Sequence, residues 1–133
     1  MSTGENKAII CQYFEQVWNQ RDLKAAERLL DPDCKARVSG QSASGRELLI
    51  GRLHMAFATY ADLHFKVCDL LAEDDRVAAR WKRCGTYHDL PTDKQVVVTG
   101  MSLFRLRDGR ITDIWINADD LGELQQMGVL SEL

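Results

Sequence analysis

The hydrophobic pattern changes period once, near residue 60, and that switch restricts the possible folds more than any other feature of the chain. Before it, Ile9, Tyr13 and Val17 interleave with Ile10, Phe14 and Trp18; Leu23, Ala26 and Leu29/Leu30 follow, then Leu49, Leu53, Phe57 and Tyr60. Apolar residues recurring every three or four positions predict three amphipathic helices. After it, four runs alternate: Phe65, Val67 and Leu71; Val77, Ala79 and Trp81; Val96, Val98, Phe104 and Leu106; and Ile111 onward. A period of two predicts strands with one buried face. Helices followed by consecutive antiparallel strands imply an α+β domain with its helices on one face of a curled sheet, the aromatic-rich first helix across the concave side.

Punctuation residues agree with this division. Ser2-Thr3-Gly4-Glu5 and Ser44-Gly45-Arg46-Glu47 both have the S-x-x-E spacing of a capping box, opening helices 1 and 3. Asp22 is placed to cap helix 2, and Asp31-Pro32-Asp33 to stop it before a short strand through Ala36 and Val38. The strands are parted by Glu73-Asp74-Asp75, by Asp89-Leu90-Pro91-Thr92-Asp93 and by Asp108-Gly109. Asp-Gly between alternating runs predicts a two-residue type I′ hairpin, which requires positive φ at both positions.

A chain of 133 residues with 45% hydrophobic content supports one core, so residues 1–133 form a single domain. Its 17 basic and 20 acidic residues are interspersed, with no basic patch threaded by aromatics, which excludes nucleic acid as a partner. No apolar run approaches the roughly 20 residues of a membrane span and no leader pattern opens the chain, so a cytoplasmic protein with no membrane partner is expected. Cys11, Cys34, Cys68 and Cys84 are widely spaced and read as reduced thiols.

In this order and spacing, "YFEQVWNQRDLKAAERLLDPDC", "ADLHFKVCDLLAEDDRVAARWKRCGTY", "TGMSLFRLRDGRITDIW" and "LGELQQMG" resemble the SnoaL-like polyketide cyclases of the nuclear transport factor 2-like superfamily. The resemblance implies a cone-shaped, curled antiparallel sheet enclosing an apolar pocket beneath the N-terminal helices, commonly as a homodimer. It also implies cofactor-free acid–base chemistry on a small, apolar, carbonyl-bearing metabolite, such as cyclisation or isomerisation. The family's usual aspartate base follows the residue matching Trp115; this chain has Ile116 there, which cannot accept a proton, and its rim loop is shortened to "DLPTDK". A non-catalytic binding module of the same fold is therefore the competing reading.

Proton abstraction needs a carboxylate or imidazole beside an apolar pocket. Asp119 and Asp120 are the carboxylates nearest the vacant position, and one of them is equally suited to cap a short helix from Leu121 to Met127. Asp119 is the better candidate base, with His64 and Asn117 as hydrogen-bond partners to a developing enolate. His64, where "DLHF" opens a strand, is preferred over His88 beside the rim loop and over His54 among polar neighbours; each is equally a structural histidine. Phe14, Trp18, Phe57, Trp81 and Trp115 are core aromatics that can also wall a pocket. Arg83 shares a strand face with Trp81 and can meet a ligand carbonyl or carboxylate, and Ser102 can line the cavity. No H-E-x-x-H, H-x-H or paired Cys suggests a metal, and no G-x-S-x-G elbow suggests a serine hydrolase.

Overall fold

The computed structural model describes residues 2–38, 40–87 and 94–128. Helix α1 (Thr3–Gln12) opens with the expected capping box: the Glu5 N–H donates to Ser2 Oγ at 3.1 Å, and the Ser2 N–H to the Glu5 carboxylate at 3.3 Å. It continues into a wider π-helical segment, Tyr13–Asn19, whose exit is marked by the Gln20 N–H donating five residues back to the Glu15 carbonyl at 2.9 Å. This segment buries Tyr13, Phe14 and Val17 together. Helix α2 (Leu23–Leu29) is capped as predicted by Asp22, which accepts from the N–H groups of Lys24 and Ala25.

Strand β1 (Leu30–Val38) begins earlier than the short strand expected and runs through Pro32, with its pairing irregular between Leu30 and Lys35. It is joined by β2 (Gln41–Ser44), which the sequence pattern did not suggest. Helix α3 (Arg46–Thr59) lacks its expected capping box. Ser44 is held in the β1–β2 ladder opposite Lys35, and Gly45, at φ 100°, takes the cap position instead. That backbone angle suits glycine because a Cβ would be strained there.

Four long strands follow: β3 (His64–Glu73), β4 (Arg76–Thr86), β5 (Gln95–Arg107) and β6 (Arg110–Ala118). The β5–β6 hairpin turns on Asp108 and Gly109 at φ 52° and 79°, the two positive angles its Asp-Gly required. The sheet is curled and unclosed, in the order β2-β1-β6-β5-β4-β3. It has six strands rather than the five expected, and it is mixed, because β1 lies parallel to β6 with Ala36 beside Ile114. Strands β1 and β6 are joined only through β2, α3 and β3 to β5, the kind of long crossover connection that a parallel pair demands. A short helix α4 (Asp120–Gln126) ends the described chain. No helix among the described residues is long and apolar enough to cross a membrane.

The core lies between the inner sheet face and α1 with its π-helical extension, α2 and α3. Phe104, Ile10, Leu30, Ile111, Val17, Val77, Val96 and Val98 are its largest wholly buried side chains. Two carboxamides take the place of missing strands at exposed ladder edges. On edge strand β3, Asn19 accepts from the Phe65 N–H at 2.7 Å and donates to its carbonyl at 3.0 Å. On β5, beyond the end of β6, Gln126 does the same for Val97 at 2.8 and 2.7 Å. Each satisfies a backbone donor and acceptor that would otherwise face water or another chain's edge.

Candidate functional site at the open end of the inner face

Alternation along the strands decides which side chains reach the concave side. Trp81, Gly100 and Ala118 are cross-strand neighbours on β4, β5 and β6, and so are Phe65, Arg83 and Val98 on β3, β4 and β5. The Trp81 indole lies flat over Gly100: a Cβ there would stand 2.5 Å from the ring and 2.8 Å from the Asn117 carbonyl. Its Nε1–H donates to buried Ser102 Oγ at 2.9 Å. Around it the rings meet edge to face or tilted, Tyr13 and Phe14 each against Phe104 at 5.7 and 5.8 Å, Phe14 against Phe65 at 5.5 Å, Phe65 against Trp81 at 5.2 Å. Trp18 contacts Phe65 at 4.7 Å and Phe57 at 5.9 Å, both Trp18 and Phe57 being half-buried toward the opening.

Beside these rings, reached through Arg83 as the cross-strand neighbour of Phe65, lies a polar triad. The Tyr60 hydroxyl donates to Glu123 Oε2, and the Arg83 guanidinium donates to the same oxygen at 2.9 Å. Arg83 also lies over the Tyr60 ring, 5.4 Å from its centroid, and Met127 Sδ is 3.7 Å from the Tyr60 hydroxyl. The side chains of Arg83 and Glu123 keep only 16% and 18% of their exposure, so the pair is largely withdrawn from water. Burial first, then the hydrogen bond to Glu123 and its charge, push the Tyr60 phenol up to about 12, with Arg83 opposing. At neutral pH Tyr60 is therefore a fixed neutral donor. Two donors aimed at one oxygen position, one of them cationic, make an anion-binding geometry of the oxyanion-hole type.

A family model for SnoaL-like polyketide cyclases matches residues 8–127. The chain belongs to the SnoaL-like polyketide cyclase family. Solved structures agree on the fold of this SnoaL-like protein. IdmH of Streptomyces antibioticus, a candidate polyketide cyclase, is 25% identical over 92% of this chain and 98% of its own, with a TM-score of 0.83. AclR of Streptomyces galilaeus, a candidate hydroxylase, is 24% identical over 99% of this chain and 86% of its own, with a TM-score of 0.86. TsrD of Streptomyces laurentii is 21% identical over 98% and 99%, with a TM-score of 0.84. No curated protein matches the sequence.

The SnoaL-like chain disperses several of the residues that its sequence singled out. Asp119 is exposed and caps α4, its carboxylate accepting from the Gly122 N–H at 2.9 Å, while Asp120 is the first residue of that helix. His64 and Asn117 are exposed, and neither joins the Tyr60–Arg83–Glu123 cluster. Trp115 sits on the opposite sheet face from Ile114 and Ile116, between the guanidiniums of Arg37 and Arg105 at 4.7 and 5.6 Å; it lines the outer surface rather than the concave side. Ile116 packs on the core beside Ser102. Phe14, Trp18, Phe57, Trp81, Arg83 and Ser102 do come together on the inner side. His88 and the loop 89–93 lie outside the described residues.

Sequence reasoning missed Tyr60 and Glu123. Tyr60 counted only as an apolar member of helix 3, and Glu123 sat inside the tail motif "LGELQQMG". The available signal was spacing: Glu123 and Met127 lie four residues apart and so share one side of the tail helix.

A recess of about 960 Å³ lies elsewhere, against the start of α1 and residues of β1, β5 and β6. Within it Arg37 pairs with Asp113 at 3.2 Å, and Arg105 lies 3.9 Å from both Asp75 and Asp113. It has neither the ring wall nor the convergent donors of the mouth. Among the described residues no three His, Cys, Asp or Glu side chains converge to hold a metal ion.

Proposed function

We propose that this SnoaL-like protein acts on a small, mostly apolar, carbonyl-bearing metabolite of polyketide type by cofactor-free acid–base chemistry, a ring closure or an isomerisation. The convergence of the Tyr60 hydroxyl and the Arg83 guanidinium on one oxygen position, beside a wall of aromatic rings, carries this reading.

A substrate carbonyl oxygen placed where Glu123 Oε2 now lies receives both donors. Glu123, displaced to the side, takes the proton from the adjacent carbon; the C–H electron pair moves into the carbonyl and the oxygen becomes an enolate. Negative charge passes from carboxylate to substrate, so once the proton has moved Arg83 again faces an anionic oxygen. The enolate carbon then attacks a second carbonyl, whose oxygen takes the proton back from Glu123, or Glu123 returns the proton to another carbon of the conjugated enolate; either way its carboxylate is regenerated. Donors placed in advance at the site of developing charge are the largest contribution such a pocket can make.

Two variants assign the base. Glu123→Gln is expected to lower turnover of a poly-β-carbonyl substrate by about 10²-fold or more, the usual contribution of a positioned general base, while circular dichroism stays native. Asp119→Asn is expected to leave turnover within a few-fold. The reverse result moves the base to Asp119, and binding without any product from the wild-type protein makes the domain a ligand carrier.

A further inference from the structure

We propose that Tyr60 and Arg83 form a receptor for a planar anionic oxygen, carboxylate or enolate, and that Glu123 on α4 is its built-in occupant, expelled when such a ligand binds. This rests on the site assigned above, but on its binding geometry and not on turnover. It narrows the ligand class from carbonyl-bearing to acidic: an aromatic or polyene body carrying a carboxylate or a readily ionised 1,3-dicarbonyl.

Three observations lead there. First, both donors end on the same Glu123 oxygen, so the carboxylate occupies the position a ligand oxygen would take. Second, α4 is built to leave. It spans seven residues, none of them buried, and Leu121 is 50% exposed. Polar contacts hold it: the Asp119 N–H on the Thr99 carbonyl at 2.9 Å, the Gln126 carboxamide on Val97, and the triad itself. Water can replace the first two, and segments with few buried apolar contacts open at the lowest free energy. Third, the guanidinium is the group that cannot be left alone. At 16% exposure, with Glu123 its ion-pair partner, Arg83 becomes an uncompensated half-buried cation if α4 departs empty-handed. A neutral ligand leaves that cost standing; an anionic one removes it. The wall for the ligand body is adjacent, since Phe65 is the cross-strand neighbour of Arg83 and stacks on Trp18.

The test is calorimetric titration of the full chain with 2-naphthoate, with dimedone as an ionisable 1,3-diketone, and with neutral 2-naphthalenemethanol. Glu123→Ala removes the competitor and is expected to bind naphthoate about tenfold or more tightly than wild type, the range of a hydrogen bond to a charged group. The alcohol should stay within about twofold, and Arg83→Gln in the Glu123→Ala background should abolish the gain. Dimedone following naphthoate extends the site to enolates, and naphthoate alone restricts it to carboxylates; either supports an anion receptor. Equal gains for alcohol and acid would show only an uncovered apolar slot and overturn the proposal, as would no gain at all. If Glu123→Ala does not fold, hydrogen exchange on the wild type decides. Naphthoate must speed exchange of the α4 amides while leaving β5 protected, and unchanged or slower exchange in α4 overturns the idea. Loss of turnover in Glu123→Gln without any naphthoate effect would sink this proposal and leave the acid–base reading intact.

Discussion

The two ends of the inner sheet face are held by opposite kinds of force. At the sealed end, Tyr13, Phe14 and Phe104 close on one another with Cys34, Leu30 and Ile111 around them, all buried and nearly all apolar. At the open end, an Arg–Glu pair, a tyrosine hydroxyl and a glutamine carboxamide pin a helix that buries nothing. The same strands run through both, since β4 carries Val77 at one end and Arg83 at the other, while β5 carries Phe104 and Val98. Apolar burial is thus concentrated away from the proposed site, and the end proposed to meet a ligand is fastened mainly by polar contacts.

The largest effect should come from breaking the sealed end. Phe104 is 1% exposed and packs against two rings, so Phe104→Ala removes its contacts and leaves a hole that those rings only partly fill. The expected cost is about 3–5 kcal/mol, seen as a large fall in the urea midpoint. Glu123→Gln keeps an oxygen for both donors but leaves Arg83 without its anionic partner, and it should lower that midpoint less than Phe104→Ala does. If the two variants cost the same, the division between anchoring end and mobile end fails.

Alkaline titration probes both ends at once. Burial pushes the Cys34 thiol from 9.0 up to about 12, with Asp113 and Asp31 adding to the effect, and the Tyr60 phenol from 10.0 up to about 12. Tyr13, in the sealed end, is raised as well by burial. A raised value means that the fold favours the protonated form. That stability is complete below the unfolded values and is lost as pH rises through the folded ones. The urea midpoint should hold up to about pH 9 and fall between about 9 and 12, the window set by Cys34 and Tyr60. Cys34→Ala should delay the onset to about pH 10, where the tyrosines begin. A midpoint flat to pH 12 would mean that neither end shields its titrating groups.

Much of this architecture was written in residue periodicity. The change of period at residue 60 separated helices from strands, Asp22 and Ser2 marked their helix starts, and Asp108-Gly109 marked its hairpin, because each of these is decided within a few residues of chain. What stayed hidden depends on distant partners. Strand β2 is four residues long and exists because β1 offers it an edge. The parallel return of β1 beside β6 joins segments some eighty positions apart, and no local pattern reports that. The site follows the same rule. Arg83 was found through its face-sharing with Trp81, a local relation, whereas Tyr60 and Glu123 meet across 63 positions. Trp115 reads from sequence as a core aromatic that can wall a pocket; the pairing of Ile114 with Phe104 fixes the inner face on Ile114 and Ile116 and turns the indole out to Arg37 and Arg105.

The smallest effect tests how lightly the open end is fastened. Gln126 reaches across from α4 to accept from the Val97 N–H at 2.8 Å and donate to its carbonyl at 2.7 Å, completing a ladder that β6 has already left. In Gln126→Ala both backbone groups turn to water, which is close at hand because Val97 is 40% exposed, so the net loss should be about 1 kcal/mol or less. The loss should also be local: the Val97 amide and the amides of α4 exchange faster, while those of β4 and the sealed half of β5 keep their protection. Gln126→Glu is the sharper variant, since it keeps the acceptor for the N–H and sets a carboxylate oxygen against the Val97 carbonyl. Exchange should then rise at α4 more than in the alanine variant, with the urea midpoint still nearly unmoved. A midpoint that falls with either substitution as far as it does for Phe104→Ala would make α4 part of the cooperative core, and a helix so integrated could not yield its place to a ligand.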